Sequence, residues 1–100
     1  MSVAPELGIG DLDPVLTGPK RLAAMAVLSR STSTDFGFLK EHLQVSDSDL
    51  SKQMSALQAV GYLQVIKSGR GRGGVTTYQI TKAGRAAYDH HRATLRTILG

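Results

Sequence analysis

The sequence predicts a mainly helical α+β domain in which three helices, a β-hairpin and a fourth helix follow one another. Three observations carry this. Apolar residues recur at helical spacing before residue 61 and again after residue 80. They alternate with polar residues on both sides of a glycine-rich loop between those regions. Cap residues stand at most of the boundaries. A chain of 100 residues, 41% hydrophobic and 20% charged, suits one small domain rather than two. The expected division is an arm over 1–12, a core over 13–80 and a C-terminal helix over 81–99.

The arm is apolar without clear periodicity (Val3, Leu7, Ile9, Leu12). Asp13-Pro14 reads as an N-cap followed by proline at the first helical position, and Gly18-Pro19 restarts the helix, which runs to about Ser29 with Leu22, Met25 and Ala26 on one face. Arg30 to Thr34 is expected as a polar loop, and Asp35 as the cap of a short second helix with Phe36, Leu39 and Leu43 at i, i+3, i+7. The third helix has the clearest start. Ser46 and Asp49 resemble a capping box, with Asp in place of the usual Glu, and Val45 and Leu50 occupy the positions of a hydrophobic staple. Leu50, Met54, Leu57 and Val60 form its apolar stripe, and Gly61 stands where a helix-ending glycine belongs. Ser48, Lys52 and Ser55 point away from that stripe, Ser51 flanks them and Gln53 lies nearer its edge.

Leu63 and Val65, then Tyr78 and Ile80, alternate with polar neighbours as in a half-buried hairpin, and Ser68 to Gly74 joins the two strands. Thr81 is the candidate cap of the last helix, in which Gly84, Tyr88, His91, Leu95 and Ile98 follow 4-3-4-3 spacing, a two-heptad seam.

The absence of cysteine excludes disulfides, thiolate nucleophiles, iron–sulfur clusters and cysteine-based zinc modules, and is compatible with a reducing cytoplasm. No apolar run approaches the roughly 20 residues of a membrane span, and the N-terminus lacks a basic n-region and carries Glu6, so an intracellular protein is expected. The adjacent His90 and His91 diverge by about 100° on a helix, and His42 is remote in sequence, so no metal site is expected. No spacing suggests a Ser–His–acid triad, and neither catalysis nor a cofactor is expected. Gly69-x-Gly71-x-x-Gly74 matches a dinucleotide fingerprint formally, but a strand rather than a helix follows it. The net charge of +4 is focused: residues 61–85 hold Lys67, Arg70, Arg72, Lys82 and Arg85 without one acid, which points to a polyanionic partner.

This order of elements is that of a winged helix-turn-helix. Leu50-Ser51-Lys52-Gln53-Met54-Ser55-Ala56-Leu57 with Val60-Gly61-Tyr62-Leu63 resembles the recognition-helix stretch of the MarR and ArsR superfamilies of regulators. Leu12 to Val15, the loop and Thr76 to Arg85 resemble in particular a compact MarR-like group, and the likeness spans about residues 12–99. Two departures stand out: Gln53 occupies a position where His is frequent, and the cysteine pairs of metal-sensing members are absent.

The resemblance implies a homodimeric, sequence-specific transcriptional regulator, expected to be a repressor and to reside in the cytoplasm with the nucleoid. Its third helix would enter the major groove through Ser48, Ser51, Lys52, Gln53 and Ser55, while Lys67, Arg70 and Arg72 of the wing would reach the minor groove or the phosphates. Leu7, Ile9, Tyr88, His91, Leu95 and Ile98 would form the dimer interface, and a two-fold dimer would address a pseudo-palindromic site. For the seam, the alternative is packing on the chain's own core. The fold also serves as a protein-docking module or a sequence-tolerant chromosome binder, and fold alone does not choose. Any small-molecule effector would need a cleft at the dimer interface or the hinge, and the sequence names none.

Overall fold

Most boundaries of the molecule follow from local caps. The computed structural model describes residues 7–69 and 74–100. After a single 3-10 turn (Ile9–Asp11) the elements are α1 (Pro19–Ser29), β1 (Thr34–Asp35), α2 (Phe36–Leu43), α3 (Asp47–Ala59), β2 (Leu63–Ser68), β3 (Val75–Ile80) and α4 (Lys82–Leu99). The Asp35 carboxylate accepts the Phe38 N–H at 2.7 Å, Ser46 Oγ accepts that of Asp49 at 3.1 Å and Thr81 Oγ1 accepts that of Gly84 at 2.9 Å. α3 closes in a Schellman arrangement: Gly61 adopts φ +80°, its N–H reaches the Gln58 carbonyl, and the Tyr62 N–H reaches that of Leu57.

Three local expectations are corrected. Asp13-Pro14 starts no helix. It opens a turn closed by the Leu16 N–H on the Asp13 carbonyl and the Val15 N–H on the Asp13 carboxylate, both at 2.9 Å. The cause lies downstream, because Pro19 holds Gly18 extended (ψ 139°) and α1 cannot begin earlier. The capping box is half formed: Ser46 caps α3, but the Asp49 carboxylate bonds Lys20 and Gln53 instead. Thr34 belongs to a strand rather than the preceding loop, pairing antiparallel with Tyr78, so the sheet has order β1-β3-β2.

β2 and β3 pair from Leu63↔Ile80 to Ser68↔Val75, and this register turns Leu63 and Tyr78 into the core. There they meet Leu16, Ala24, Met25, Leu28, Leu39, Leu50, Met54, Leu57 and Tyr88. The buried stripe of α3 is the predicted one up to Leu57; Val60, past the helix end, is largely exposed. The face of α1 is rotated from expectation, with Ala24, Met25, Val27 and Leu28 inside and Leu22 and Ala26 at the rim.

The turn between α3 and β2 is where the remaining segments meet. Thr81 donates its backbone N–H to the Tyr62 carbonyl at 3.1 Å and its hydroxyl to the Gly61 carbonyl. A Cβ on Gly84 would lie 1.9 Å from the Tyr62 carbonyl oxygen, so α4 approaches this backbone as only glycine permits. The Tyr62 hydroxyl donates to the Asp13 carboxylate, which together with burial pushes its pKa up to about 12. The Asp13 N–H in turn donates to His91 Nδ1 at 3.1 Å. His91, 1% exposed, is therefore a neutral acceptor. The predicted seam thus divides: Gly84, Tyr88 and His91 pack within their own chain, against the expectation that Tyr88 and His91 face a partner, while Leu95 and Ile98 continue outward.

Gly84→Ala is expected to destabilise the fold by about 3 kcal/mol, because backbone rather than a movable side chain blocks the new methyl group. Urea unfolding measures this, and a gain of about 1 kcal/mol, the ordinary helix preference for Ala over Gly, would contradict the close approach. His91 is held below 6.5, first by burial and in lesser part by His90, with Asp13 opposing. The unfolded chain therefore binds more protons as pH falls through 6.5, and stability declines from there toward the folded value. Thermal unfolding should show Tm dropping between about pH 7.5 and 5.5, with His91→Asn removing much of that slope. A flat wild-type profile would contradict the acceptor role.

Candidate nucleic-acid interface

With Leu50, Met54 and Leu57 turned into the core, α3 leaves Ser48, Ser51, Lys52 and Ser55 exposed on its outer face. Antiparallel pairing then folds the base of the wing beside that face. Ser51, Ser55 and Gln58 of α3 and Lys67 and Thr76 of the wing line one cleft of about 230 Å³, floored by Phe36, Met54, Val65 and Tyr78. The structure therefore brings together Ser51, Ser55 and Lys67, which the sequence placed on two different elements. Ser48 and Lys52 lie on the same helix, outside the cleft lining. Its rim holds hydroxyls, an amide and an ammonium group, donors suited to phosphate oxygens and base edges.

Gln53 departs from the expected set. Its Oε1 accepts the Arg21 Nε–H at 2.8 Å and its Nε2 donates to Asp49 Oδ1 at 2.9 Å, so the half-buried amide is engaged at both ends rather than presented to a groove. Asp49 is also bonded by Lys20, and these contacts, Lys20 first and Gln53 second, hold its carboxyl below the usual range. Lys40 of α2 pairs with Asp47 at 2.7 Å. Arg70 and Arg72 lie outside the described residues.

Sequence reasoning missed Gln58 and the cations Lys20, Arg21 and Lys40. Gln58 follows Ser51 and Ser55 at helical spacing, a signal that was present. Lys20 and Arg21 reach α3 from 29 and 32 residues away, and no local pattern announces that.

At the other end of the molecule Leu7 and Leu95 are half-buried, whereas Ile9 (78%), Ile98 (40%) and Leu99 (78%) are exposed. A separate cleft of about 430 Å³ is lined by residues of α1, α2 and the segment between them, including Arg30, and there the Phe38 and His42 rings stack 5.6 Å apart. Among the described residues no group of His, Asp or Glu converges as for a metal ion, and no helix is long and apolar enough to cross a membrane.

Residues 20–99 match the family described as winged helix DNA-binding domain. Solved structures share the fold. The transcriptional regulator homologue protein from Pyrococcus horikoshii OT3 superposes with a TM-score of 0.79 at 21% identity, covering 85% of this chain and 84% of its own. YusO from Bacillus subtilis gives 0.75 at 18% identity, covering 85% and 60%. ZitR from Lactococcus lactis, a zinc-responsive MarR family member, gives 0.66 at 15% identity, covering 87% and 60%. The chain spans 60% of the length of these last two. A comparison with curated proteins found no match.

Proposed function

The chain belongs to the winged helix DNA-binding domain family, and on that premise we propose that it is a sequence-specific transcriptional repressor that binds duplex DNA as a homodimer. The observation that carries this reading is the continuous polar cleft between α3 and the wing, where Ser51 and Ser55 face the same space as Lys67. An α-helix fits the major groove, and a hairpin beside it meets the flanking backbone.

In this reading Ser48, Ser51 and Ser55 contact base edges or phosphates, and Lys52 and Lys67 neutralise phosphates. Arg70 and Arg72, placed by the sequence between β2 and β3, extend the contact into the minor groove. Gln53 is not among the readers, because reaching a base would break both of its hydrogen bonds. The arm over residues 1–12 and the outer half of α4 supply the dimer contact through Leu7, Ile9, Leu95 and Ile98, with residues 13–80 as the reading core. Tyr88 and His91 support that surface from inside. A two-fold dimer then spans half-sites about 34–36 Å apart. Occupancy of a promoter by such a dimer excludes polymerase, which is the basis for repression.

Fluorescence anisotropy tests the reading with the duplex upstream of the protein's own gene against a scrambled duplex, over about 50–250 mM salt. The native duplex is expected to bind ~10³-fold or more tightly, and Lys52→Ala and Lys67→Ala each to lower the salt slope by about one. Equal affinity for both duplexes with unchanged slopes would contradict it. Leu95→Asp is expected to give monomers by analytical ultracentrifugation and to lose DNA affinity in parallel. A monomer that binds DNA fully would sever dimerisation from recognition.

A further inference from the structure

The helix assigned to the groove carries the wrong charge for it. α3 holds Asp47 and Asp49 in its first turn against Lys52 alone, a net charge of −1, whereas duplex DNA presents one negative charge per about 1.7 Å. Protonation does not relieve Asp49, since its hydrogen bonds keep the carboxyl below its ordinary range.

Two other helices supply the counter-charge. Lys20 of α1 bonds Asp49, and Lys40 of α2 bonds Asp47. These are the side-chain ion pairs among the described residues, and both fall on the acids of α3. Lys40 and Asp47 are exposed at 44% and 70%, a setting in which a pair adds little to folding, so stability does not explain the placement. Arg21 completes the arrangement. Its Nε donates to Gln53, whose amide donates to Asp49, so Asp49 and Gln53 are both tethered toward α1. The outer face keeps Ser48, Ser51, Lys52 and Ser55 exposed. With Lys20, Arg21 and Lys40 counted, the α3 surface carries +2 instead of −1.

We propose that Lys20, Arg21 and Lys40 are positioning residues for DNA binding, which cancel and draw aside Asp47, Asp49 and Gln53 so that a helix otherwise repelled by phosphate can approach it. The proposal rests on the reading that α3 enters the groove. Lys20 and Lys40 act through the acids, not on the duplex, and Arg21 acts through Gln53.

A rescue experiment separates this role from direct contact. Binding of a fluorescein-labelled, mixed-sequence duplex of ~30 bp is measured by anisotropy for Lys20→Met, for Lys20→Met with Asp49→Asn, and for the corresponding Lys40/Asp47 variants, with circular dichroism to verify folding. Each lysine variant is expected to weaken binding by about five- to tenfold, and each double variant to return to within about twofold of wild type, because the acid that needed cancelling is gone. Equal losses in the single and double variants would overturn the proposal, since a lysine that serves only to cancel the acid has no role left once the acid is gone. Unchanged binding by the lysine variants, with Lys52→Ala still weakening it, would overturn the positioning role and leave the groove reading standing. Unchanged binding by Lys52→Ala as well would remove the groove reading, and the proposal with it.

Discussion

The close passage of α4 over the Gly61-Tyr62 backbone is the constraint on which the arrangement of the other elements depends. Residue 84 sits where any side chain would collide with the Tyr62 carbonyl, and a glycine inside a helix costs roughly 1 kcal/mol of helix preference relative to alanine. That cost is offset by what the approach allows. Thr81 caps α4 and at the same time bonds both Gly61 and Tyr62, so the start of the last helix and the end of α3 share one set of hydrogen bonds. Tyr62 then carries the connection to Asp13, and Asp13 to His91. The third helix, the first wing strand, α4 and the N-terminal turn are consequently fixed relative to one another at a single place.

This placement separates the molecule's chemistry into two ends. On one side of the Tyr62 turn, α3 and the base of the wing are held at an angle that opens a polar cleft between them, and β3, paired on both edges, gives the wing a rigid root. On the other side, the outer half of α4 and the 3-10 turn expose Ile9, Ile98 and Leu99. Asp13, Tyr62 and His91 lie between these regions and are bonded in sequence. The acids of α3 fit the same division: α1 and α2 take them up, and the outer face of the helix is left polar and cationic.

Local chemistry was legible in the sequence; pairing across distance was not. Asp35, Ser46, Gly61 and Thr81 announce their roles through neighbours three or four residues away, and all four perform them. Ser48, Ser51, Lys52 and Ser55 follow from the helical period once Leu50, Met54 and Leu57 are recognised as core. Gly84, Tyr88 and His91 were placed on the correct stripe of α4, but periodicity states only that a stripe is covered, not whether its own chain or a second one covers it. Gln53 is a related case. Its angle near the core edge was right, while its partner Arg21 comes from another helix. β1 is two residues long and has no period to read. Asp13 was taken for a cap by its proline neighbour, whereas Pro19 delays α1 and the Asp13 carboxylate also accepts from Tyr62, 49 residues later.

The most direct test of the account follows backbone amide shifts by NMR while a duplex of ~30 bp is added to isotopically labelled protein. If α3 and the wing form the DNA surface, perturbations concentrate at Ser48, Ser51, Lys52 and Ser55 and at Lys67, while the amides of the cleft around Phe38 and His42 stay in place. Perturbations gathered in that cleft, with α3 and the wing unmoved, would contradict the account and assign the nucleic-acid contact to a different face.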